Sequence, residues 1–277
     1  MTPSSPLSID AVQRQLRTRA FGKRILLFQE IDSTNSELLR QAEAGFPEGG
    51  VVLAEAQSRG KGRLGRKWIS PSGTNLYLSL LLRPSDPYLS PFLSLLSAVA
   101  AAEAIEATTG ISPLIKWPND LLIPTPAGER KLGGILLELS SPATDPSLHL
   151  LIVGIGINVN LPQKEFPPEI ASEAVSLCEL VRQPVDRNRL AAELLNRMEA
   201  WYTRLRSGGP KEREEIRLAW IKRSGTLGRR VRIVRPQQTL IGTAEGITPE
   251  GALILRLESG ETETFAAADV VHLRPTE

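Results

Sequence analysis

From residue 24 onward the chain switches repeatedly between dense apolar runs and stretches in which apolar residues return every three or four positions. Runs rich in Val, Ile and Leu at 24–31 (RILLFQEI), 50–57 (GVVLAEAQ), 75–83 (NLYLSLLLR), 112–117 (SPLIKW), 132–139 (LGGILLEL) and 148–161 (LHLLIVGIGINVNL) predict strands. The slower rhythm predicts helices at 8–18, 33–44 and 88–109, the last ended by Gly110. Thr34 and Glu37 have capping-box spacing in the second of these. From 172 to 223 the pattern is helical again, with Leu190, Leu194, Met198 and Trp201 on one face and Arg187, Arg197 and Arg204 off it. The SGGP of 207–210 breaks this run.

In the tail the rhythm becomes alternation. The segments 228–236, 239–247, 251–260 and 263–273 predict short strands, with a tight hairpin at Ser259-Gly260. Hairpin-like neighbours such as LLIPTPAGERKLGGILLEL argue against a strictly doubly wound sheet. The expected fold is α+β: a mixed sheet backed by helices over 1–223, then a small β-barrel over 224–277. The loops 124–130 and 140–147 are expected to be exposed.

Composition narrows the class. With 277 residues and 41% hydrophobic content the chain can bury a full core. The 33 basic and 31 acidic residues leave a formal charge of +2, too little for a global basic field that would attract nucleic acid, so any anion preference has to be local. The single cysteine, Cys178, excludes an internal disulfide, and with only His149 and His272 a zinc site is not expected. The N-terminal stretch lacks the features of an export signal. The serines, Glu103 and Glu106 of the most apolar segment, 92–110, mark it as a buried helix rather than a membrane span. A reducing, cytoplasmic setting is expected.

Candidate chemistry concentrates in SRGKGRLGRKW (58–68), where Arg59, Lys61, Arg63, Arg66 and Lys67 sit among Gly60, Gly62 and Gly65. The glycines spell G-x-G-x-x-G after a strand, but Pro71 and Gly73 deny the helix that a dinucleotide fingerprint needs. Gly60 and Gly65 have P-loop spacing, yet Arg66 stands where Lys is required. A solvated basic loop or nucleic-acid patch is the common fate of such runs. Against it, the glycines free backbone N–H groups beside guanidinium forks, which suits a compact phosphate-bearing reactant.

With STN at 33–35, QSRGKGRLGRKW from Gln57, KWPND at 116–120, RKLGGILLE from Arg130 and GIGINVN from Gly154, in that order, the chain resembles the biotin protein ligase family. The resemblance implies the core fold shared with lipoate ligases, and a tail that is an SH3-like barrel. Bifunctional members carry an N-terminal helix-turn-helix domain. Too few residues precede the first strand for one here, so the likeness is to the monofunctional type, with no specific DNA binding expected. It implies that biotin's carboxylate attacks the α-phosphorus of ATP, giving biotinyl-5′-adenylate and pyrophosphate. A lysine of a biotin carboxyl carrier domain then takes the acyl group. Neither step needs a protein nucleophile; fixed cations and Mg²⁺ relieve the anionic repulsion.

Carried over by motif, the resemblance implies biotin contacts at Ser33, Thr34, Asn35, Gln57, Gly60, Lys61, Gly62, Arg63, Lys131, Gly134 and Gly154. It implies ATP or adenylate contacts at Arg63, Trp68, Lys116, Asn119, Lys131 and Asn158, with Arg63 and Lys131 in the chemistry and Asp120 on the metal. Hydroxyl and amide groups suit a ureido ring that donates and accepts hydrogen bonds. Ser33 or Thr34 also reads as a helix cap, Trp68 as core, Lys131 as an exposed loop lysine and 150–157 as a plain buried strand. Lys61 stands where the family usually has Arg, so the planar fork is lost there. Arg59, Arg66 and Lys67 are expected to be solvated, and Cys178 to be a buried apolar residue. The same fold serves lipoate or octanoate ligation, and a biotin-sensing regulator is the alternative of another class; the basic loop and KWPND favour biotin ligation. An exposed sheet edge would suit a second copy of the chain, giving a homodimer, or the acceptor domain.

Overall fold

The computed structural model describes residues 5–84, 90–126, 128–141, 145, 148–234, 239–266 and 268–273. Seven strands, β1 (Ile25–Ile31), β2 (Val51–Gln57), β3 (Leu76–Leu82), β4 (Leu114–Lys116), β5 (Asp120–Thr125), β6 (Gly128–Ser140) and β7 (Leu150–Ile157), form one mixed sheet. Its order is β1-β2-β3-β7-β6-β5-β4, with β1 and β2 parallel and every other pair antiparallel. The α+β expectation holds.

Two faces follow from the period of two along each strand. Val51 and Leu53, Leu76, Leu78 and Leu80, and Val153, Ile155 and Ile157 point to one side. There they meet the core helices α3 (Ser90–Thr109) and α6 (Arg187–Ser207). On the other side Val52, Leu81 and Ile152 pack under α2 (Thr34–Glu43). The helix α2 covers only part of that face. Beyond it the same alternation presents Tyr77, Ser79, Gly154 and Gly156, a polar and nearly bare floor. Helix α3 is long and apolar enough to cross a membrane, yet it lies in this core and is largely buried.

One element of the β2 pattern is costly. The alternation that sends Val51 and Leu53 inward also sends Glu55 inward, where it is 4% exposed. Arg187, the first residue of α6, answers it: Nη1 lies 2.6 Å from one carboxylate oxygen and Nη2 3.3 Å from the other. Nη1 also donates to the carbonyl of Asn75 and Nη2 to that of Ser5, while Nε is buried without a partner among the described residues, and the Leu7 amide donates to the same carboxylate. Arg187, expected on the polar side of its helix, is therefore 1% exposed, because a buried carboxylate needs a cation and filled hydrogen bonds.

Other boundaries shift for local reasons. Helix α1 (Ile9–Gln13) is capped by Ser8 and stops well short of Thr18. The predicted helix from Ser172 is broken: between α4 (Pro168–Ala171) and α5 (Leu177–Val181) the chain turns at 172–173 and then runs extended from Ala174. Lys131 N donates to Glu173 O at 2.6 Å and Val175 N to Lys131 O at 3.0 Å, so this stretch adds a short rung beside β6. Most of 124–130 is strand rather than exposed loop, since β5 and β6 pair down to Thr125 and Gly128. Ala127, most of the 140–147 loop and the Tyr88 start of the third predicted helix lie outside the described residues. Helix α7 (Pro210–Arg223) follows the SGGP break.

The tail forms a second, antiparallel sheet of five strands: β8 (Arg230–Val234), β9 (Thr239–Ile247), β10 (Leu253–Leu257), β11 (Thr262–Phe265) and β12 (Asp269–His272), in the order β11-β10-β9-β8-β12. The hairpin at Ser259-Gly260 is present, with Gly260 at φ +89°. This sheet docks beside β4. Trp117 N donates to Thr226 Oγ1 at 3.0 Å, Trp117 Nε1 to Gly251 O at 3.3 Å, and His272 Nδ1 lies 2.8 Å from Glu129.

Arg187→Ala is expected to destabilise the chain by about 3–5 kcal/mol in urea unfolding, because it strands the Glu55 charge in the core. Replacing both residues with apolar ones of similar size is expected to cost much less.

Candidate active site

The floor of the cavity is β7 and β6 with almost no side chains. A Cβ at Gly154 would lie 2.2 Å from Asn35 Oδ1, and one at Gly156 would lie 2.6 Å from the Trp68 indole. Only glycine lets Asn35 and Trp68 settle this close to the strand. Tyr77 stands next to them on β3, its hydroxyl donating to Pro71 O at 3.0 Å, and burial pushes its phenol upward.

One end of the cavity is polar and uncharged. Ser33 is the N-cap of α2, yet its hydroxyl makes no capping bond. Thr34 and Glu37 form no capping box either: the Thr34 amide and hydroxyl both donate to Gln57 Oε1, at 2.8 and 3.1 Å. Gln57 Nε2 in turn donates to Ser70 Oγ at 2.9 Å. Asn35 accepts from Ser79 Oγ at 2.5 Å and donates to Glu138 at 2.7 Å. Ser33, Thr34 and Asn35 are buried, so they form a fixed tray of donors and acceptors.

The glycine loop folds over this floor as a short hairpin. Gly62 N donates to Arg66 O at 2.7 Å and Trp68 N to Gly60 O at 2.9 Å. A 3₁₀ turn at Arg63–Gly65 closes it, with Leu64 at φ 55° and Gly65 at φ 73°. No helix follows the loop, which leads instead to β3, as the case against a dinucleotide fingerprint requires. At Gly60 a Cβ would come 2.3 Å from Trp68 O, so the hairpin needs glycine there.

Cations line the middle of the cavity, most of them held by a protein group. Lys61 Nζ lies 3.1 Å from Glu138, Lys131 Nζ 2.7 Å from Asp120, and Arg66 pairs with Asp269. The Lys131 ammonium also sits 5.6 Å from the centre of the Trp68 ring. Arg63 Nη1 reaches Asn119 Oδ1 at 3.2 Å and Ala268 O at 3.4 Å. Burial pulls the Arg63 guanidinium below its ordinary value, against the pull of Asp269 and Asp120. Burial likewise lowers the Lys116 ammonium, opposed by Asp120. Arg63 is thus a desolvated positive charge in the cavity, which an anion would relieve, and Lys116 is another just outside its lining.

Of the residues singled out in the sequence, Ser33, Thr34, Asn35, Gln57, Lys61, Gly62, Arg63, Trp68, Asn119, Asp120, Lys131, Gly134 and Gly154 line this one cavity. Gly60, Lys116 and Asn158 do not. Gly60 shapes the hairpin, while Asn158 Nδ2 reaches Lys131 O at 3.4 Å and its amide donates to Leu132 O. Arg66 and Lys67 face the cavity rather than solvent alone. Cys178 is buried away from it, and burial raises its thiol. Tyr77 and Leu136 also line the cavity and could have been found by counting alternate positions along their strands. Asp269 had no signal, since it arrives from the second sheet. Among the described residues no three His, Cys, Asp or Glu side chains gather as a ready metal cage. A lone carboxylate such as Asp120 fits an ion held mostly by phosphate oxygens and water, as Mg²⁺ is.

Residues 27–158 match the Biotin/lipoate A/B protein ligase family, and residues 226–273 match the Biotin protein ligase C terminal domain. A biotin--[acetyl-CoA-carboxylase] ligase of Mycobacterium tuberculosis is 34% identical over 286 residues, spanning 99% of this chain and 100% of that protein. The bifunctional ligase/repressor BirA of Bacillus subtilis is 34% identical over 94% of this chain and 78% of its own length. Among solved structures, a biotin protein ligase from Aquifex aeolicus in complex with biotin and ATP superposes with a TM-score of 0.75 at 30% identity, covering 91% of this chain and 100% of that one.

Gly156→Ala is expected to destabilise the chain by about 1–3 kcal/mol through overpacking against the indole. Adding Trp68→Ala should remove most of that extra cost, so the two changes are non-additive in thermal or urea unfolding.

Proposed function

Because this chain belongs to the biotin protein ligase family, we propose that the cavity over β6 and β7 is where it joins biotin to ATP and then to protein. The chain is an ATP-dependent ligase: it forms biotinyl-5′-adenylate, releases pyrophosphate and transfers biotin to a lysine. The observation that carries the assignment of the site is the division of a single cavity. Neutral hydroxyls and amides stand at one end, cations occupy the centre, and an indole closes over them.

The neutral end suits the ureido ring, which both donates and accepts hydrogen bonds, so Ser33, Thr34, Asn35 and Gln57 would orient it. Gly134 and Gly154 would let the ring and its valeryl chain lie flat on the sheet. The loop from Gly60 through Lys61 and Gly62 would cover the carboxylate. Arg63 and Lys131 would stand at the α-phosphate, with Trp68 against the adenine and Lys116 and Asn119 toward the triphosphate. Asn158 would act through the Lys131 main chain that it bonds. Mg²⁺, held by Asp120 and the phosphate oxygens, would offset charge on the leaving pyrophosphate.

The chemistry asks little else of the protein. A carboxylate oxygen of biotin attacks the α-phosphorus, and the bond to the β-phosphate oxygen breaks. Two anions must approach, so fixed positive charge in a desolvated place lowers the barrier. Lys131 is held for this by Asp120 through its ammonium and by Glu173 and Val175 through its main chain. In the second step an acceptor amine attacks the acyl carbon, AMP leaves, and the amine loses a proton as the amide forms. The acceptor is a lysine on a carboxyl carrier domain of a carboxylase.

Biotin should stimulate ATP–pyrophosphate exchange by the chain, and stimulation by lipoate alone would overturn the assignment. Lys131→Ala is expected to lower that exchange about 10²–10³-fold, the scale on which loss of one preorganised charge is felt. Arg63→Ala should let the adenylate escape, read as free biotinyl-5′-adenylate in solution; full retention would remove Arg63 from the phosphate site.

A further inference from the structure

We propose that Glu138 is a positioning residue for the ligase reaction: one oxygen orients the Asn35 amide, and the other anchors the Lys61 ammonium. On this account Lys61 serves the chain as the tether of the glycine loop rather than as a cation for the ligand. The inference deepens, and rests on, the reading of the cavity given above.

Along β6 the residues Gly134, Leu136 and Glu138 share one face, and the first two line the cavity. Glu138 continues that row just past the cavity's rim, opposite Ile152 of β7. Both of its oxygens are engaged by cavity residues from different elements. Oε2 accepts from Asn35 of α2 at 2.7 Å, and Oε1 accepts from Lys61 of the glycine loop at 3.1 Å.

The Asn35 contact decides which way the amide faces. An ionised carboxylate only accepts, so Asn35 must turn Nδ2 toward it. Its Oδ1 then accepts from Ser79 Oγ at 2.5 Å, above the bare backbone of Gly154. One N–H and one lone pair remain for a ligand, in a fixed direction.

The Lys61 contact works differently. Its two side chains are 42% and 36% exposed, and pairs of this kind add little to global stability. The effect is local: it holds the start of the hairpin against the sheet. Arg63, two residues on, has no carboxylate within ion-pair distance among the described residues and reaches only Asn119 and Ala268 O. The loop thus divides its charges, with Lys61 tethered and Arg63 left for phosphate.

The test uses the full chain with biotin and ATP, comparing Glu138→Ala, Glu138→Gln, Lys61→Ala and the double variant Lys61→Ala/Glu138→Ala. Glu138→Ala should raise the KM for biotin about tenfold, with kcat nearly constant, and shorten adenylate lifetime about fivefold. Glu138→Gln, whose amide oxygen still accepts from Asn35, should recover the KM but keep the short lifetime. Lys61→Ala should shorten the lifetime to the same extent but raise the KM less than Glu138→Ala does, since it leaves the Asn35 contact in place, and the double variant should be no shorter-lived than either single one. The melting temperature should be unchanged in Lys61→Ala and Glu138→Gln, which keep an acceptor for the buried Asn35 amide. Unchanged KM and lifetime in Glu138→Ala, lifetime effects that multiply in the double variant, or kinetic losses that merely track a lowered melting temperature would each overturn the proposal. Biotin-dependent pyrophosphate exchange by the unmodified chain is the control. Its absence would remove the functional reading and this inference together, whereas its presence with unaltered variants would remove the inference alone.

Discussion

Asn35 and Trp68 lie against bare backbone on β7, in space that a methyl group at Gly154 or Gly156 would occupy. Most of the cavity follows from that close approach. Because Asn35 can come down onto the sheet, α2 can cover half of the face with Leu38 and Ala42 and still present its first turn to the other half. Because Trp68 can come down, the glycine hairpin closes over the floor and brings Arg63 and Lys61 with it. Side chains on those two glycines would lift both elements, and the polar end and the cationic centre would no longer share one enclosure.

Charge is the second organising theme. The cations of the site come from the glycine loop and the start of β6, and the carboxylates that hold them come from β5, β6 and β12. The Lys131–Asp120 pair places positive charge before any ligand arrives, which is what an attack of a carboxylate on a polyphosphate needs, while the pairs of Lys61 and Arg66 hold the glycine loop in place. The second sheet takes part through Asp269 and the Ala268 carbonyl, so the tail is a structural partner of the glycine loop. Elsewhere, the buried Glu55–Arg187 pair fastens the N-terminal segment, β2 and α6 together beneath the site.

The stretch 172–176 turns at 172–173 and then runs extended. Its composition suits a helix, but the chain there pairs with Lys131 on one side and continues to Asn158 on the other. Long-range backbone hydrogen bonds outweighed a local propensity of a few tenths of a kcal/mol per residue. The result is that Lys131, proposed to stand at the reacting phosphate, is held between β5 and this stretch instead of on a loop.

By itself the sequence determined the α+β class, the strands and core helices, the glycine loop that is not a dinucleotide fingerprint, and the family. These depend on local periodicity, on spacing within one motif and on the order of motifs, all of which are written along the chain. The residues of the cavity were legible for the same reason wherever they fell inside a motif, as Ser33, Thr34, Asn35, Gln57, Arg63 and Lys131 did. Only the tertiary structure decided that Arg187 is buried, that Arg66 meets Asp269, that Glu138 joins Asn35 to Lys61, and that Asn158 lies behind Lys131 rather than on the cavity wall. Each of these joins residues far apart in sequence. Which charge finds which partner is set by the order of strands in the sheet and the packing of the helices upon it, and no local pattern records that.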